Sequence, residues 1–414
     1  MGSLVEAKAP LQITLRRTPE GPLAPYISMV SDAMRRDGFR PYTIRYETRV
    51  VADFSRWMKR RRVDLLDLTP ECIDGYLRYR RLRRRPAKCD AAALRRACRV
   101  LTDAGLISER AEDEHLNPAR LYASEYSRYL RDERGLSNAT LLNYMPFAYR
   151  FLDQTFGNNP VCFDHTCVPD VVCFVQDEAK RLSVQHAKIM TTALRSLLRY
   201  AHYHGDTSAD WSSKVPVVAG WSMSSIPRGV PPHVVQSVLS HCDQDTDTGR
   251  RDYAILLLLA RLGLRAREIV SLTLDDIEWA SGYLTVHGKG NEESQMPVPR
   301  DVGHAIAEYL QRSRPASNSR QIFLRARAPN SPFRSSAAID CVVSRALERA
   351  EIETSRRGAH QFRHGLATEL LRRGASLSEI GEVLRHRHMD STRIYAKVDL
   401  ISLRELALPW PRGV

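Results

Sequence analysis

The first half of the chain repeats one helical pattern, and this repeat limits the possible folds more than any other feature. Apolar and aromatic residues recur there at the spacing expected for the buried face of a helix. The segment from Ala87 to Gly105 parallels the segment from Ala187 to Gly205, and each ends at a glycine that predicts a helix stop. We therefore predict two helical domains, over residues 1–115 and 116–210.

The pattern changes after a predicted linker over residues 211–230, in a stretch rich in Ser, Gly and Pro. Two short runs with strand character, Tyr283 to Val286 and Gln295 to Val298, flank a Gly-Lys-Gly-Asn turn. Residues 231–414 are therefore predicted to form an α+β domain with a small β-hairpin or sheet and a helix in its C-terminal tail. The fold class expected for the whole chain is multidomain and mainly α.

The charge balance of the chain favours a polyanionic partner. Its 414 residues include 62 Lys and Arg against 48 Asp and Glu, which leaves a net charge of +14 and a pI near 9.6. Nucleic acid is the natural candidate for such a partner. No apolar run approaches the roughly 20 residues that cross a bilayer, and the N-terminus lacks a signal-peptide pattern. Eight scattered cysteines favour a reducing compartment, so we expect a cytoplasmic protein with no membrane partner.

A zinc site is the metal alternative that the sequence offers. Cys162, His165, Cys167 and Cys173 lie near one another, but their spacing contains no CxxC pair. The stretch favours side chains that face a core. We expect neither a metal nor a cofactor.

Six residues after the linker have the side chains needed to cleave a phosphodiester, and they are Arg265, Lys289, His360, Arg363, His386 and Tyr395. Guanidinium groups donate paired hydrogen bonds that match phosphate oxygens better than a lysine does. A tyrosine hydroxyl can attack phosphorus if a neighbour accepts its proton or offsets the charge of the phenolate, and His360 and the arginines are candidates. The set contains no carboxylate cluster of the kind that holds Mg²⁺, which predicts cleavage without a metal ion.

In its order and spacing this set resembles the tyrosine recombinase (phage integrase) family. The resemblance implies that Tyr395 is the nucleophile and that Arg265 and Arg363 clamp the phosphate, which His386 hydrogen-bonds. It also implies that Lys289, on the hairpin turn, protonates the departing 5′-oxygen. The product would be a 3′-phosphotyrosyl ester, which stores the energy of the broken bond and allows resealing without ATP.

Residues next to these six refine the expectation. The resemblance implies that Glu268 buttresses Arg265. Glu292 and Glu293 follow the lysine turn where many family members have a basic pair, so DNA contacts by this hairpin are doubtful. Arg385 stands where the family often has glycine, and it is predicted either to touch DNA or to face solvent. His364 is interpreted as structural.

Two arginine-dense runs in the first helical region predict contacts with DNA phosphates. They contain Arg60, Arg61, Arg62, Arg80, Arg81, Arg83, Arg84 and Arg85, and Lys188 and Arg195 extend the set into the second region. A solvated charged face is the alternative interpretation of such runs. The second helical region is similar to the family's core-binding domain, which implies that it clamps DNA opposite the catalytic domain.

The resemblance implies an enzyme that breaks and rejoins double-stranded DNA by sequential strand exchange through a Holliday junction. Integration or excision of a mobile element is the preferred role, and a homotetramer or a hetero-oligomer of related recombinases on synapsed sites is the expected assembly. A resolvase or invertase shares the chemistry and stays an alternative. So does a noncatalytic DNA-binding accessory protein, although the complete set of six residues argues against it. Two helical domains and the tail argue against a related topoisomerase.

Overall fold

The computed structural model describes residues 18–83, 89–107, 117–163, 168–219, 229–288, 292–354, 357–388 and 390–398. Several predictions of the sequence analysis lie outside these ranges, and they concern Lys289, Arg84, Arg85, His165, Cys167 and the tail helix. By its contacts the chain divides into two compact units, residues 1–109 with 225–414 and residues 110–224.

The described part of residues 18–107 contains four α-helices, and they are α1 (Ile27–Arg36), α2 (Pro41–Arg61), α3 (Pro70–Arg81) and α4 (Asp90–Asp103). The start of α3 follows a local rule, since the Thr69 hydroxyl accepts the backbone N–H of Cys72 and Pro70 occupies the first helical turn. Helix α2 packs against both α1 and α4. It contributes Phe54 and Met58 to a continuous apolar core.

The second unit has the same order of helices in its described residues, with α5 (Pro118–Asp132), α6 (Asn138–Phe156), α7 (Val168–Ala179) and α8 (Val184–His204). Ser137 and Ser183 cap α6 and α8, as their positions before apolar helical runs predict. Gly205 ends α8 with φ +85°, and the corresponding Gly105 has φ +69°. The repeated helical pattern of the sequence thus appears as two similar sets of helices.

The described residues after position 229 combine helices with one small sheet. The α-helices are α9 (Pro232–Ser240), α10 (Asp247–Leu262), α11 (Ala266–Ser271), α12 (Arg300–Arg312), α13 (Ala337–Arg349), α14 (His360–Arg372), α15 (Leu377–Val383) and α16 (Asp390–Arg393). A 3₁₀ turn, Ile394–Val398, follows α16 directly. Helix α10 is the centre of the core, because its run from Ala254 to Leu259 is fully buried.

The sheet is antiparallel in the order β1 (Ile277–Glu278), β2 (Tyr283–His287) and β3 (Glu293–Pro297). Leu284 lies opposite Ile277 on one side and Met296 on the other. The two strands predicted from the sequence are present. Strand β1 was not predicted, because two residues are too short for an alternating pattern. The mainly helical fold with a small sheet is confirmed.

In the described part of the chain, no helix combines the length and the apolar character needed to cross a bilayer. The same residues contain no group of three or more His, Cys, Asp and Glu placed to hold a metal ion. The prediction that the cysteine-rich stretch faces the core is wrong for Cys173, which is exposed, and Cys162 is only half-buried.

Candidate active site

The end of α10 places Arg265 at the edge of the core. Gly263 ends this helix with φ +58°, and a Cβ at this position would lie 2.8 Å from a methyl carbon of Leu384. The backbone angle and the close approach both favour glycine. Two residues later Arg265 is the N-cap of α11, and its backbone N–H donates to Oε2 of Glu268 at 2.8 Å.

Glu268 joins two guanidinium groups. Its carboxylate accepts Nη1 of Arg265 at 2.6 Å and Nη2 of Arg385 at 3.0 Å, and its side chain is only 4% exposed. Burial alone would raise the pKa of this carboxyl, but the Arg265 backbone N–H and the two arginine charges hold the pKa below its usual value. Glu268 is therefore an ionised anchor that fixes the direction of the Arg265 side chain.

The alternative that Arg385 merely faces solvent is wrong, and a contact with DNA stays a prediction. Its side chain is 12% exposed and pairs with Glu268, and its backbone has φ +54°. A positive φ at this position explains why glycine suits it in the family, since residues with a Cβ rarely adopt that angle. The buried ion pair offsets part of the strain in this chain.

Arg363 lies beside Arg265 and is almost fully buried on α14. Its guanidinium donates to the carbonyl oxygens of Gly263 and Leu384. Burial, with the neighbouring charge of Arg265, lowers the pKa of Arg363 to about 9, so it remains charged at neutral pH. No carboxylate forms an ion pair with it in the described part of the chain, which leaves its charge available to an anionic ligand.

His386 follows α15, directly after the two residues whose carbonyls the arginines contact. Arg363 binds the carbonyl of Leu384, and Nη2 of Arg265 binds that of Arg385 at 3.2 Å. Nδ1 of His386 hydrogen-bonds the buried Thr392 hydroxyl at 2.7 Å. Burial and the nearby arginine charges lower the pKa of His386 to about 4, which makes the imidazole neutral at pH 7.

Tyr395 is 1% exposed and lies in the 3₁₀ turn after α16. It packs in a small apolar cluster with Ala367, Ile380 and Leu384. Its hydroxyl hydrogen-bonds Nδ1 of His364 at 2.8 Å. Burial raises the pKa of Tyr395 to about 12, although the charge of Arg363 opposes this, so the phenol is protonated in the resting protein.

His360 begins α14, and part of its surface is exposed to solvent while the rest is covered by neighbouring atoms. Its ring centroid lies 6.2 Å from that of His364, and desolvation with the charge of Arg363 lowers its pKa. The structure thus brings Arg265, Arg363 and His386 to Tyr395, with His360 at the rim. The histidine that contacts the tyrosine hydroxyl is His364.

Sequence reasoning missed two residues of this site, His364 and Thr392. A signal existed for His364, because it follows His360 by four positions and so lies on the same face of the helix. Nothing in the sequence distinguished Thr392, whose hydroxyl contacts a residue outside its own helix.

The hairpin beside the site carries its acidic residues in local ion pairs. Glu292 pairs with Arg387 at 3.4 Å, and Glu293 lies 3.5 Å from Nδ1 of His287. At least one partner of each ion pair is exposed to solvent, so each pair contributes less than about 1 kcal/mol to the free energy of unfolding. The pair with Arg387 nevertheless links the described base of the hairpin to the segment that contains His386.

Two of the arginines predicted to contact DNA already have partners within the protein. Arg80 is 12% exposed at its side chain, where it pairs with Asp53 and Asp90. Arg195 donates to the carbonyls of Val215 and Pro216 at 3.1 and 3.0 Å. An arginine run reveals its charge but not its partners, which is why the sequence did not separate these two from the rest.

The remaining described members of the set are placed differently. Exposed positions are held by Arg60, Arg61, Arg62, Arg81 and Arg83. The guanidiniums of Arg60 and Arg83 lie 5.8 and 4.8 Å from the centre of the Tyr79 ring. This cluster, the Tyr79 surface, presents cations around an aromatic ring. Lys188 is half-buried in the second unit.

Comparison with known proteins places this geometry in a family. Residues 228–400 match the model of the phage integrase family. The chain is 46% identical over 399 residues to a Sinorhizobium fredii protein named "Putative integrase/recombinase y4rA", with 96% of this chain and 97% of the relative covered. It is 29% identical over 298 residues to tyrosine recombinase XerD of Corynebacterium glutamicum, which covers 70% of this chain and 97% of the relative.

Solved structures agree in fold. A post-cleavage complex of the XerH site-specific recombinase with its palindromic difH substrate aligns with a TM-score of 0.55 at 18% identity, covering 75% of this chain and 93% of that one. The Tn1549 transposon integrase bound to transposon right-end DNA aligns with a TM-score of 0.50 at 16% identity, covering 69% of this chain and 99% of that one. With the relatives of similar sequence, these matches lead to one conclusion: the chain belongs to the phage integrase family of tyrosine-type site-specific recombinases.

Proposed function

We propose that Tyr395 attacks the scissile phosphate of duplex DNA and forms a covalent 3′-phosphotyrosyl intermediate. The observation that carries this proposal is the convergence on one buried tyrosine of Arg363, Arg265 and a neutral His386. These are the groups that an in-line displacement at phosphorus needs, and they come from separate elements of the fold. Packing alone gives no reason to bring two arginines together without an equal number of carboxylates.

The two arginines would stabilise the charge that develops on the non-bridging oxygens. Arg363 is desolvated and bonded to backbone carbonyls, and Arg265 is oriented by Glu268. Cations held in place before the substrate arrives need little rearrangement in the transition state, which is where such contacts contribute most. We infer that both guanidiniums bind the phosphate from one side.

His386 would donate one further hydrogen bond. If the Thr392 hydroxyl donates to Nδ1, the imidazole proton is on Nε2 and faces outward. Lys289, on the hairpin turn, is the proposed general acid for the departing 5′-oxygen. His360, at the rim, would help to hold the phosphate.

Two structural relatives support the choice of substrate. The solved structure of XerH is bound to a DNA substrate, and that of the Tn1549 integrase to transposon-end DNA. We propose that this chain acts on duplex DNA at the ends of a mobile element, as a homotetramer on two synapsed sites. The region over residues 116–210 would clamp the core site, and residues 231–414 would carry the chemistry.

The first helical region would add a second DNA contact. It has the same helix order as the second region, and the Tyr79 surface presents exposed arginines that can neutralise phosphates. We propose that residues 1–115 bind DNA next to the core site.

A covalent-trapping assay tests this function. Nicked duplexes are tiled across the boundaries of the element that carries the gene, so that the cleaved fragment diffuses away and the intermediate accumulates. They are incubated in EDTA with wild type, with Tyr395→Phe and with Tyr283→Phe, a control at an exposed tyrosine. We expect a protease-sensitive shift with wild type and the control, and none with Tyr395→Phe. Salt-sensitive binding with no adduct on any duplex would support the noncatalytic accessory role instead.

A further inference from the structure

The hydroxyl of Tyr395 contacts one histidine, and it is not a member of the six-residue set. Nδ1 of His364 lies 2.8 Å from this hydroxyl, and the two rings meet edge to face with centroids 5.6 Å apart. We propose that His364 is the group that accepts the phenolic proton when Tyr395 attacks DNA. This inference rests on the proposed function of Tyr395 as the nucleophile.

The surroundings of the hydroxyl favour His364 over the other candidates. Tyr395 is 1% exposed, so bulk water is not a ready acceptor in this arrangement. Nδ1 of His386 is bonded to Thr392, and its ring lies parallel to that of Tyr395 with centroids 6.5 Å apart. His360 is one helical turn before His364, at the exposed start of α14. Geometry within hydrogen-bond reach is the first requirement of a general base, and His364 meets it.

The position of His364 on α14 connects proton transfer to phosphate binding. It directly follows Arg363, so one rigid helix carries both the phosphate clamp and the proposed base. The side chain faces Tyr395, and His360, His386 and Arg363 are among the titratable or charged groups near it. A movement of the tyrosine toward bound phosphate would begin from a hydrogen bond that already points its proton at the acceptor.

The proton balance of the step is complete. The O–H proton of Tyr395 passes to Nδ1 of His364, whose own proton is on Nε2 beforehand, and an imidazolium forms. The bond between the tyrosine oxygen and phosphorus forms while the bond from phosphorus to the 5′-oxygen breaks. That oxygen takes its proton from a separate acid, the role proposed for Lys289. In the rejoining step the imidazolium returns its proton to the departing tyrosine.

A histidine that only positions Tyr395 would make the same hydrogen bond. The test must therefore separate a positioning role from proton transfer. His364→Asn keeps an acceptor near the position of Nδ1 and so can hold the tyrosine, but an amide is far too weak a base to take its proton. His364→Phe keeps the ring and removes both functions. His304→Asn, at an exposed position of α12, is the matched control.

The substrate is a nicked duplex with a 5′-bridging phosphorothiolate at the scissile position. Its leaving thiolate needs no proton, so the rate of covalent attachment reports activation of the nucleophile alone. Single-turnover rates are measured from pH 6 to pH 9, with thermal unfolding as a check on folding. We expect both His364 variants to be slower at pH 7 by about 10²- to 10⁴-fold, the usual contribution of a general base. The difference in rate between wild type and the His364 variants should narrow as pH rises, because hydroxide can then accept the tyrosine proton in place of the lost base.

The outcomes distinguish this inference from the function on which it rests. If wild type forms no adduct on any duplex, the assignment of Tyr395 fails and the inference fails with it. If wild type and His304→Asn react, the inference alone is overturned by a His364→Asn rate within a few-fold of wild type. It is also overturned by a loss that is equal at every pH, since that is the result of a positional defect.

Discussion

Replacing Glu268 with glutamine tests whether two arginines of the proposed active site depend on one buried carboxylate. The side chain of Glu268 is 4% exposed, and it pairs with Arg385, 12% exposed, and Arg265, 36% exposed. Glutamine has the same shape and accepts hydrogen bonds, but it leaves two cations without their counter-ion. Removing one partner of a buried ion pair costs about 3–5 kcal/mol. Because Arg265 can be hydrated again, we expect Glu268→Gln to lower the free energy of unfolding by about 2–3 kcal/mol.

Thermal unfolding measures this loss. For a region of this size each kcal/mol lowers the midpoint by about 2–4 °C, so the catalytic part of the variant should unfold about 4–12 °C below wild type at pH 7. The sign of the pH dependence is also defined. The pKa of Glu268 is lowered from 4.5, so its contribution is complete above that pH and is lost as pH falls through the folded-state pKa. The difference in unfolding midpoint between wild type and Glu268→Gln should therefore shrink below about pH 4.5.

Glu47→Gln is the matched control, since Glu47 is also 4% exposed and pairs with Arg96 at 2.9 Å in the first helical region. It should lower stability without slowing DNA cleavage, whereas Glu268→Gln should do both. An unchanged unfolding midpoint for Glu268→Gln at pH 7 would refute the anchor role. The anchor role would also be refuted if the unfolding midpoints of wild type and Glu268→Gln differed as much at pH 4 as at pH 7.

Three further predictions follow from the contacts of the site and of the Tyr79 surface. Arg363→Lys keeps the charge but loses the fork that binds two carbonyls and the phosphate, so single-turnover cleavage should fall at least about 10²-fold; a loss under tenfold would contradict the clamp. Thr392→Val removes the partner of His386, and we expect cleavage to slow about tenfold with DNA affinity unchanged, whereas weaker binding alone would argue for a packing role. The pair Arg60→Ala and Arg83→Ala should reduce the slope of log affinity against log salt by about 2, and an unchanged slope would exclude the Tyr79 surface as a phosphate contact.

The sequence predicted the parts of the fold that follow from local chemistry. The helix stops at Gly105 and Gly205 are recognisable because each depends on neighbours within a few residues. Strands β2 and β3 were predicted for the same reason.

What the sequence did not predict depends on partners far along the chain. Arg385 is buried because Glu268, 117 positions earlier, accepts its side chain. Arg80 is similar, since Asp53 and Asp90 lie in other helices. Charge and hydropathy alone predict that these arginines are solvated, and only tertiary packing reveals their carboxylate partners. For His364 a local signal did exist, since its spacing from His360 places both on one helix face. The sequence did not show that this face contacts Tyr395.

The central claim is that Tyr395 itself becomes covalently joined to DNA. The most direct measurement isolates the trapped protein–DNA complex, digests it with nuclease and protease, and locates the remaining nucleotide by tandem mass spectrometry. The account predicts a nucleotide 3′-phosphate esterified to Tyr395, in the peptide that ends at Lys397. A nucleotide attached to any other residue, or through its 5′-phosphate, would contradict it.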